Sequence, residues 1–168
     1  MTVRDRREAA DEAGLLFLRE TQIRTAQQLL FLAERDMARS VAPLLEEIGL
    51  GRAQYRVLQA LALSPGMTVG RLRELLGISK QSLARSLSDL LGRGFAEQRA
   101  GRADRRQRLL FLTEAGRSAE ERLFICQRGR LVAAYREAGG EAVSGFRRVL
   151  SGLLTQESEA LLAERGGA

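Results

Sequence analysis

Along the first third of the chain apolar residues recur at intervals of three and four, at Ile23, Ala26, Leu30, Ala33, Met37, Val41, Leu44 and Ile48. That spacing describes one face of a long helix, predicted from about Leu15 to Ile48. Leu16, Phe17, Leu29, Phe31 and Leu32 widen the face, so the helix must bury more than one stripe, in its own domain or against another chain. Pro43 is expected to bend it near its end, and Gly49 to Gly51 to stop it. Residues 1 to 13 are highly charged and read as a frayed arm or first helical turn.

A second helix is predicted from about Arg52 to Leu63, with Tyr55, Leu58, Leu61 and Ala62 inward, ended by Ser64-Pro65-Gly66. Thr68 is a natural N-cap for a short third helix that buries Leu72, Leu75 and Leu76. In Gly77-Ile78-Ser79 the glycine supplies a tight turn, Ile78 plugs the junction, and Ser79 caps a fourth helix running to about Arg93. Leu83, Leu87 and Leu90 face that helix inward, which is helix-turn-helix spacing.

After Gly92-Arg93-Gly94 the period changes. Phe95 to Arg99 and Arg108 to Leu112 read as two short strands joined by a polar loop, residues 100–107, longer than a minimal hairpin. Directly behind a helix-turn-helix, such a hairpin is a wing. Thr113 then caps a helix from about Glu114 to Ala138, which Gly139-Gly140 breaks, and a last helix is predicted from about Glu141 to Ala163. The middle third can close a small core, whereas the outer thirds are long apolar helices with nothing obvious to cover them. Two dispositions are open: mutual cover across a two-fold dimer, or a monomeric helical bundle packed on the middle domain.

Composition narrows the chemistry. The 168 residues contain one cysteine, Cys126, and no histidine, which excludes internal disulfides, Cys/His zinc sites and imidazole-activated nucleophiles. The acids are scattered over charged helix faces, no glycine-rich loop follows a strand, and no enzyme, metal or cofactor site is expected. No apolar run approaches the roughly 20 residues of a membrane span, and no signal peptide is recognised behind Met1, so a cytoplasmic protein away from membranes is expected. The net charge is +6, with Lys80 the only lysine. Between Ser79 and Arg108 eight basic residues face three acidic ones, a local balance of +5, so the rest of the chain carries only +1. That is the footprint of a segment that neutralises phosphates.

Taken in order, a long helix, a three-helix unit, a wing and two long helices resemble the multiple-antibiotic-resistance regulator (MarR) family of winged helix-turn-helix transcription factors. The resemblance covers about residues 15 to 163. Its most specific part is Asp104-Arg105-Arg106 followed by Leu110-Phe111-Leu112-Thr113-Glu114-Ala115-Gly116, similar to the family's wing signature and the helix start behind it. Leu75-Leu76-Gly77-Ile78-Ser79 with Leu83, Leu87, Leu90 and Arg93-Gly94 is similar to the family's pattern through the recognition helix. The fold class implied is mainly α with a small β-hairpin wing. A dimerisation helix would occupy residues 1–48, the DNA-binding domain 49–113, and C-terminal dimerisation helices 114–168.

With its leucines buried, the recognition helix turns Lys80, Gln81, Ser82, Arg85 and Ser86 outward. Gln81 and Arg85 suit base edges, since glutamine can pair with adenine and arginine with guanine, while Ser79, Lys80 and Ser82 suit phosphates at the helix N-terminus. Thr68 joins this DNA-facing set. The resemblance implies that Arg106 enters the minor groove and that Asp104 orients it, with Arg102 and Arg105 adding phosphate contacts. For each of these, an ordinary exposed side chain is the competing interpretation. Phe31 and Tyr55 are candidates to line a pocket for a small aromatic effector, with core packing as the alternative. Cys126 is expected to be a packed, inert thiol rather than a redox sensor. The functional expectation is a homodimeric, sequence-specific regulator of double-stranded DNA, an effector-responsive repressor at a pseudo-palindromic operator. The alternative is a winged-helix protein-interaction module.

Overall fold

A computed structural model describes residues 3–101 and 105–166, with side chains described over 20–163 of that span. The elements are α1 (Val3–Ser40), α2 (Ala42–Glu47), α3 (Arg52–Leu63), β1 (Met67–Thr68), α4 (Val69–Leu76), α5 (Lys80–Gly92), β2 (Ala96–Ala100), β3 (Arg108–Leu112), α6 (Glu114–Gly152) and α7 (Gln156–Gly166). The expected class is observed: mainly helical, with a small antiparallel sheet forming a wing. The chain divides into two compact units, Met1–Ser40 and Val41–Ala168.

In the first unit, α1 is already helical at Val3, ahead of the expected start. It ends at Ser40, whose hydroxyl donates to the Met37 carbonyl at 2.7 Å. Pro43 does not bend one helix but sits in the first turn of a new one. A proline nitrogen cannot donate to the carbonyl four residues back, so the ladder breaks ahead of it, where the missing donor is harmless.

The second unit has one core. Val41, Leu45 and Leu50 join Tyr55, Val57, Leu58 and Leu61 of α3, Leu72 and Leu76 of α4, Leu83, Leu87 and Leu90 of α5, Leu110 and Leu112 of β3, and Ala119 and Leu123 of α6. Helix α3 is therefore the central element, apolar on the side that meets α4, α5, α6 and the sheet. The sheet order is β1-β3-β2, one strand more than expected. Met67 pairs with Leu110 and Thr68 with Leu109, so the segment before α4 lies along the wing. Strand β2 begins one residue later than expected because the Phe95 amide is taken by the Leu90 carbonyl at 2.9 Å in the turn that closes α5.

The expected break at Gly139 is observed: within the span Glu114–Gly152 its φ 79° and ψ 163° are non-helical, a conformation essentially restricted to glycine, and two helical stretches meet there at a kink. Beyond the kink Phe146 meets Tyr135 edge to face, ring centres 6.4 Å apart. The expected final helix is divided: Leu153 to Thr155 form a turn, and the Thr155 hydroxyl accepts from the Ser158 amide at 3.2 Å to start α7. Leu161 of α7 is buried and Glu157 pairs with Arg71 of α4.

Candidate nucleic-acid interface

Two caps define the helix-turn-helix. The Thr68 hydroxyl accepts from the Arg71 amide at 3.2 Å to start α4, and the Ser79 hydroxyl accepts from the Ser82 amide at 3.2 Å to start α5. Between them Gly77 adopts φ 61°, its amide donating to the Arg73 and Glu74 carbonyls. That left-handed residue turns the chain sharply enough for α5 to leave α4 at once. Leu83, Leu87 and Leu90 are buried as expected.

Lys80, Gln81, Ser82 and Arg85 are all exposed on the first two turns of α5, and Ser79 is exposed at its cap. The structure thus brings together these five candidates as one polar face at a helix N-terminus. Ser86, expected outward, is instead only 5% exposed. Positions 83, 86, 87 and 90 follow the spacing of a single helix face, so Ser86 falls among the leucines, where a small side chain fits. Thr68 is half-buried in its capping role and pairs with Leu109 of β3.

Strands β2 and β3 pair from Ala96 with Leu112 to Ala100 with Arg108, and the Gly101 amide donates to the Gln107 carbonyl at 3.0 Å to close the hairpin. Arg105 and Arg106 are exposed at its tip. Arg102 and Asp104 lie outside the described residues, and so does the expected pairing of Asp104 with Arg106.

The basic segment is not uniformly directed at solvent. The Arg99 guanidinium lies 4.6 Å from the centre of the Phe111 ring and pairs with Glu97. Arg93 donates to the Ile48 and Gly49 carbonyls, both at 2.6 Å. Beyond that segment, Arg56 donates to the Leu76 carbonyl at 3.1 Å and Arg117 to the Leu112 carbonyl at 3.0 Å. Arginines that satisfy helix-end and strand-end carbonyls are the class of residue missed from the sequence. Their side chain suits phosphate and carbonyl oxygens alike, and composition cannot tell the two apart.

The wing is fastened to α6 by the Leu112-Thr113-x-x-Gly116 stretch. Thr113 donates its hydroxyl to the Gly94 carbonyl at 2.6 Å and accepts from the Gly116 amide at 3.1 Å, while its own amide donates to the Phe95 carbonyl at 3.1 Å. One threonine therefore caps α6 and holds the root of the wing.

Tyr55 takes the core-packing alternative: it is buried, and its phenol donates to Gln127 Oε1 at 3.2 Å. Burial pushes that phenol up to about 12, and the nearby Glu120 and Cys126 act in the same direction. Phe31 belongs to the first unit and is two-thirds exposed at 66%. The expectation of a packed Cys126 is overturned. The thiol is exposed, donating to the Arg122 carbonyl at 3.3 Å, because α6 leaves the core after Leu123. Among the described residues there is no acid, histidine or cysteine cluster that could hold a metal ion, and no helix long and apolar enough to cross a membrane.

Comparison with known proteins agrees with this geometry. A family model described as MarR family matches residues 48–107. The HTH-type transcriptional regulator PetP of Rhodobacter capsulatus is 42% identical over 140 residues, 83% of this chain and 84% of that protein. Among solved structures, a MarR family transcriptional regulator from Silicibacter pomeroyi superposes with a TM-score of 0.67 at 22% identity, covering 77% of this chain and 87% of the other. A mutant MarR from E. coli complexed with operator DNA superposes with a TM-score of 0.58 at 21% identity, covering 80% of this chain and 96% of the other.

Proposed function

The chain belongs to the MarR family, and from that premise we propose that it is a homodimeric, sequence-specific regulator that binds double-stranded DNA. The observation that carries the proposal is the cluster of exposed polar residues at the N-terminus of α5, Ser79, Lys80, Gln81, Ser82 and Arg85, with Arg105 and Arg106 exposed on the adjacent wing. Gln81 and Arg85 read base edges; Ser79, Lys80 and Ser82 hold phosphates, and Thr68 contributes at the start of α4. Arg106 enters the minor groove, positioned by Asp104, with Arg102 and Arg105 on the backbone. That a relative carries the name of a transcriptional regulator, and that a fold neighbour was solved with operator DNA, supports this assignment.

In the dimer, residues 1–48 and 114–168 pair the two copies and residues 49–113 meet the DNA. Two recognition helices about 34 Å apart enter successive major grooves of a pseudo-palindromic operator, and anything that changes that spacing weakens binding. Repression follows from competition with polymerase. A small aromatic effector acts by binding the incompatible spacing more tightly, with the exposed Phe31 ring as a contact. No enzymatic activity is assigned, and the cytoplasm is the compartment where such a regulator meets its DNA.

Gel shift of the purified protein against genomic fragments tests the proposal. Saturable, salt-sensitive binding to fragments containing promoters is expected. Indifference to DNA at every salt concentration would overturn it and leave the protein-interaction module standing.

A further inference from the structure

Arg93 carries part of the positive charge of the recognition segment, yet its guanidinium, although partly exposed, is engaged by groups of the protein itself. Nη1 donates to the Gly49 carbonyl and Nη2 to the Ile48 carbonyl, both at 2.6 Å. Nη1 also lies 3.7 Å from the Asp89 carboxylate one turn earlier on α5, and the guanidinium sits 5.2 Å from the centre of the Phe95 ring. Gln54 extends the cluster, since its Nε2 donates to Asp89 Oδ2 at 3.4 Å while its Oε1 accepts from the Gly51 amide at 3.1 Å.

Those partners are drawn from several parts of the fold. Ile48 and Gly49 end α2, Gly51 caps α3, Asp89 belongs to the last turn of α5, and Phe95 opens the wing. A planar donor that spans two successive carbonyls fixes orientation as well as distance, which a single-point ammonium cannot do. The N-terminal turns of α5 carry the proposed DNA contacts, so rotation of the helix about its far end would displace all of them together. A small misplacement of a donor array is costly wherever several contacts must form at once.

We infer that Arg93 is a positioning residue for DNA binding, holding the C-terminal end of α5 and the root of the wing against the α2–α3 linker without touching DNA. The inference rests on the DNA-binding role proposed above. It removes one cation from the phosphate-facing set and assigns the linker between α2 and α3 a part in setting the direction of the recognition helix.

The test measures affinity of the full chain for its selected DNA by fluorescence anisotropy across a salt series, for the wild type, Arg93→Ala, Arg93→Lys and Arg105→Ala. Arg93→Ala is expected to bind about tenfold more weakly with an unchanged salt slope. Arg105→Ala is expected to lower the slope by about 0.9, the loss of one phosphate contact. Arg93→Lys keeps the charge but cannot bridge both carbonyls, and should remain close to Arg93→Ala. Hydrogen exchange on the free proteins adds a readout independent of DNA: amides of residues 48–51 and 94–96 should exchange faster in both Arg93 variants. A reduced slope in Arg93→Ala restored by lysine would make Arg93 a phosphate contact and overturn the inference. So would unchanged affinity of folded Arg93→Ala, the result expected of a residue that only stabilises the fold. Absence of saturable binding by the wild type would instead defeat the DNA-binding role itself.

Discussion

At Gly116 a single hydrogen atom decides whether α6 can meet the wing. A β-carbon there would stand 1.9 Å from the Phe95 carbonyl oxygen, which is backbone and is already held by the Thr113 amide. Neither side can yield without moving the wing root. Gly116→Ala is therefore expected to destabilise the chain by at least the roughly 1–3 kcal/mol typical of an overpacked site, read as a lower urea midpoint; an unchanged midpoint would contradict the contact. The stretch from Leu112 to Gly116 could be singled out in the sequence by resemblance, but its cause, a carbonyl seated where a methyl would go, lies between residues 21 apart and has no local signature. Ser86 and Cys126 show the same limit in opposite directions. Ser86 is polar, yet helix geometry places it among leucines; Cys126 follows an apolar spacing, yet its helix has outrun the core there.

Among the elements, those that carry a cap and a full period could be read directly. The apolar spacing predicts α3 over Arg52–Leu63, where it is found, and α4 and α5 start at the caps Thr68 and Ser79 that their sequence advertises. Strand β1 could not be read, because two residues have no period and exist as a strand only through pairing with β3. The break at Gly139 is legible, because glycine tolerates the positive φ at which two helical stretches meet there. Contact between elements also sets a pH dependence. The Tyr55 phenol joins α3 to Gln127 of α6 and is raised to about 12 in the folded chain, against about 10 in an unfolded one. Its contribution is therefore complete below about pH 10, and disappears as pH rises from there to about 12, when the unfolded chain ionises first. Stability is expected to fall by roughly 2 kcal/mol across that window, and Tyr55→Phe should flatten the fall in denaturation followed by circular dichroism. A variant whose stability drops as steeply as the wild type would detach the effect from Tyr55.

At the scale of the whole molecule the question is what covers the long helices. Leu29 and Phe31 of α1 are 62% and 66% exposed, Val149 of α6 is 64% exposed, and Ile125, Phe146 and Leu153 add to the uncovered apolar surface. A lone exposed leucine needs no explanation, but a run of large ones along two long helices is costly in water, each worth roughly 1.5–3 kcal/mol when fully buried. A second copy of the same chain offers the same helices in return, which suits a two-fold arrangement and would place two recognition helices on one side of a duplex. The protein is therefore expected to sediment as a dimer and to melt at a higher temperature as its concentration rises. Phe31→Glu and Val149→Glu alter side chains that are exposed within the single chain, so its core should survive while association weakens tenfold or more, about 1.4 kcal/mol or above. Because binding two half-sites multiplies the contribution of each, the same substitutions should cost more affinity on a full operator than on a half-site. Equal losses on both, or a wild type that sediments as a single chain at every concentration, would mean that these helices serve some purpose other than pairing two recognition units.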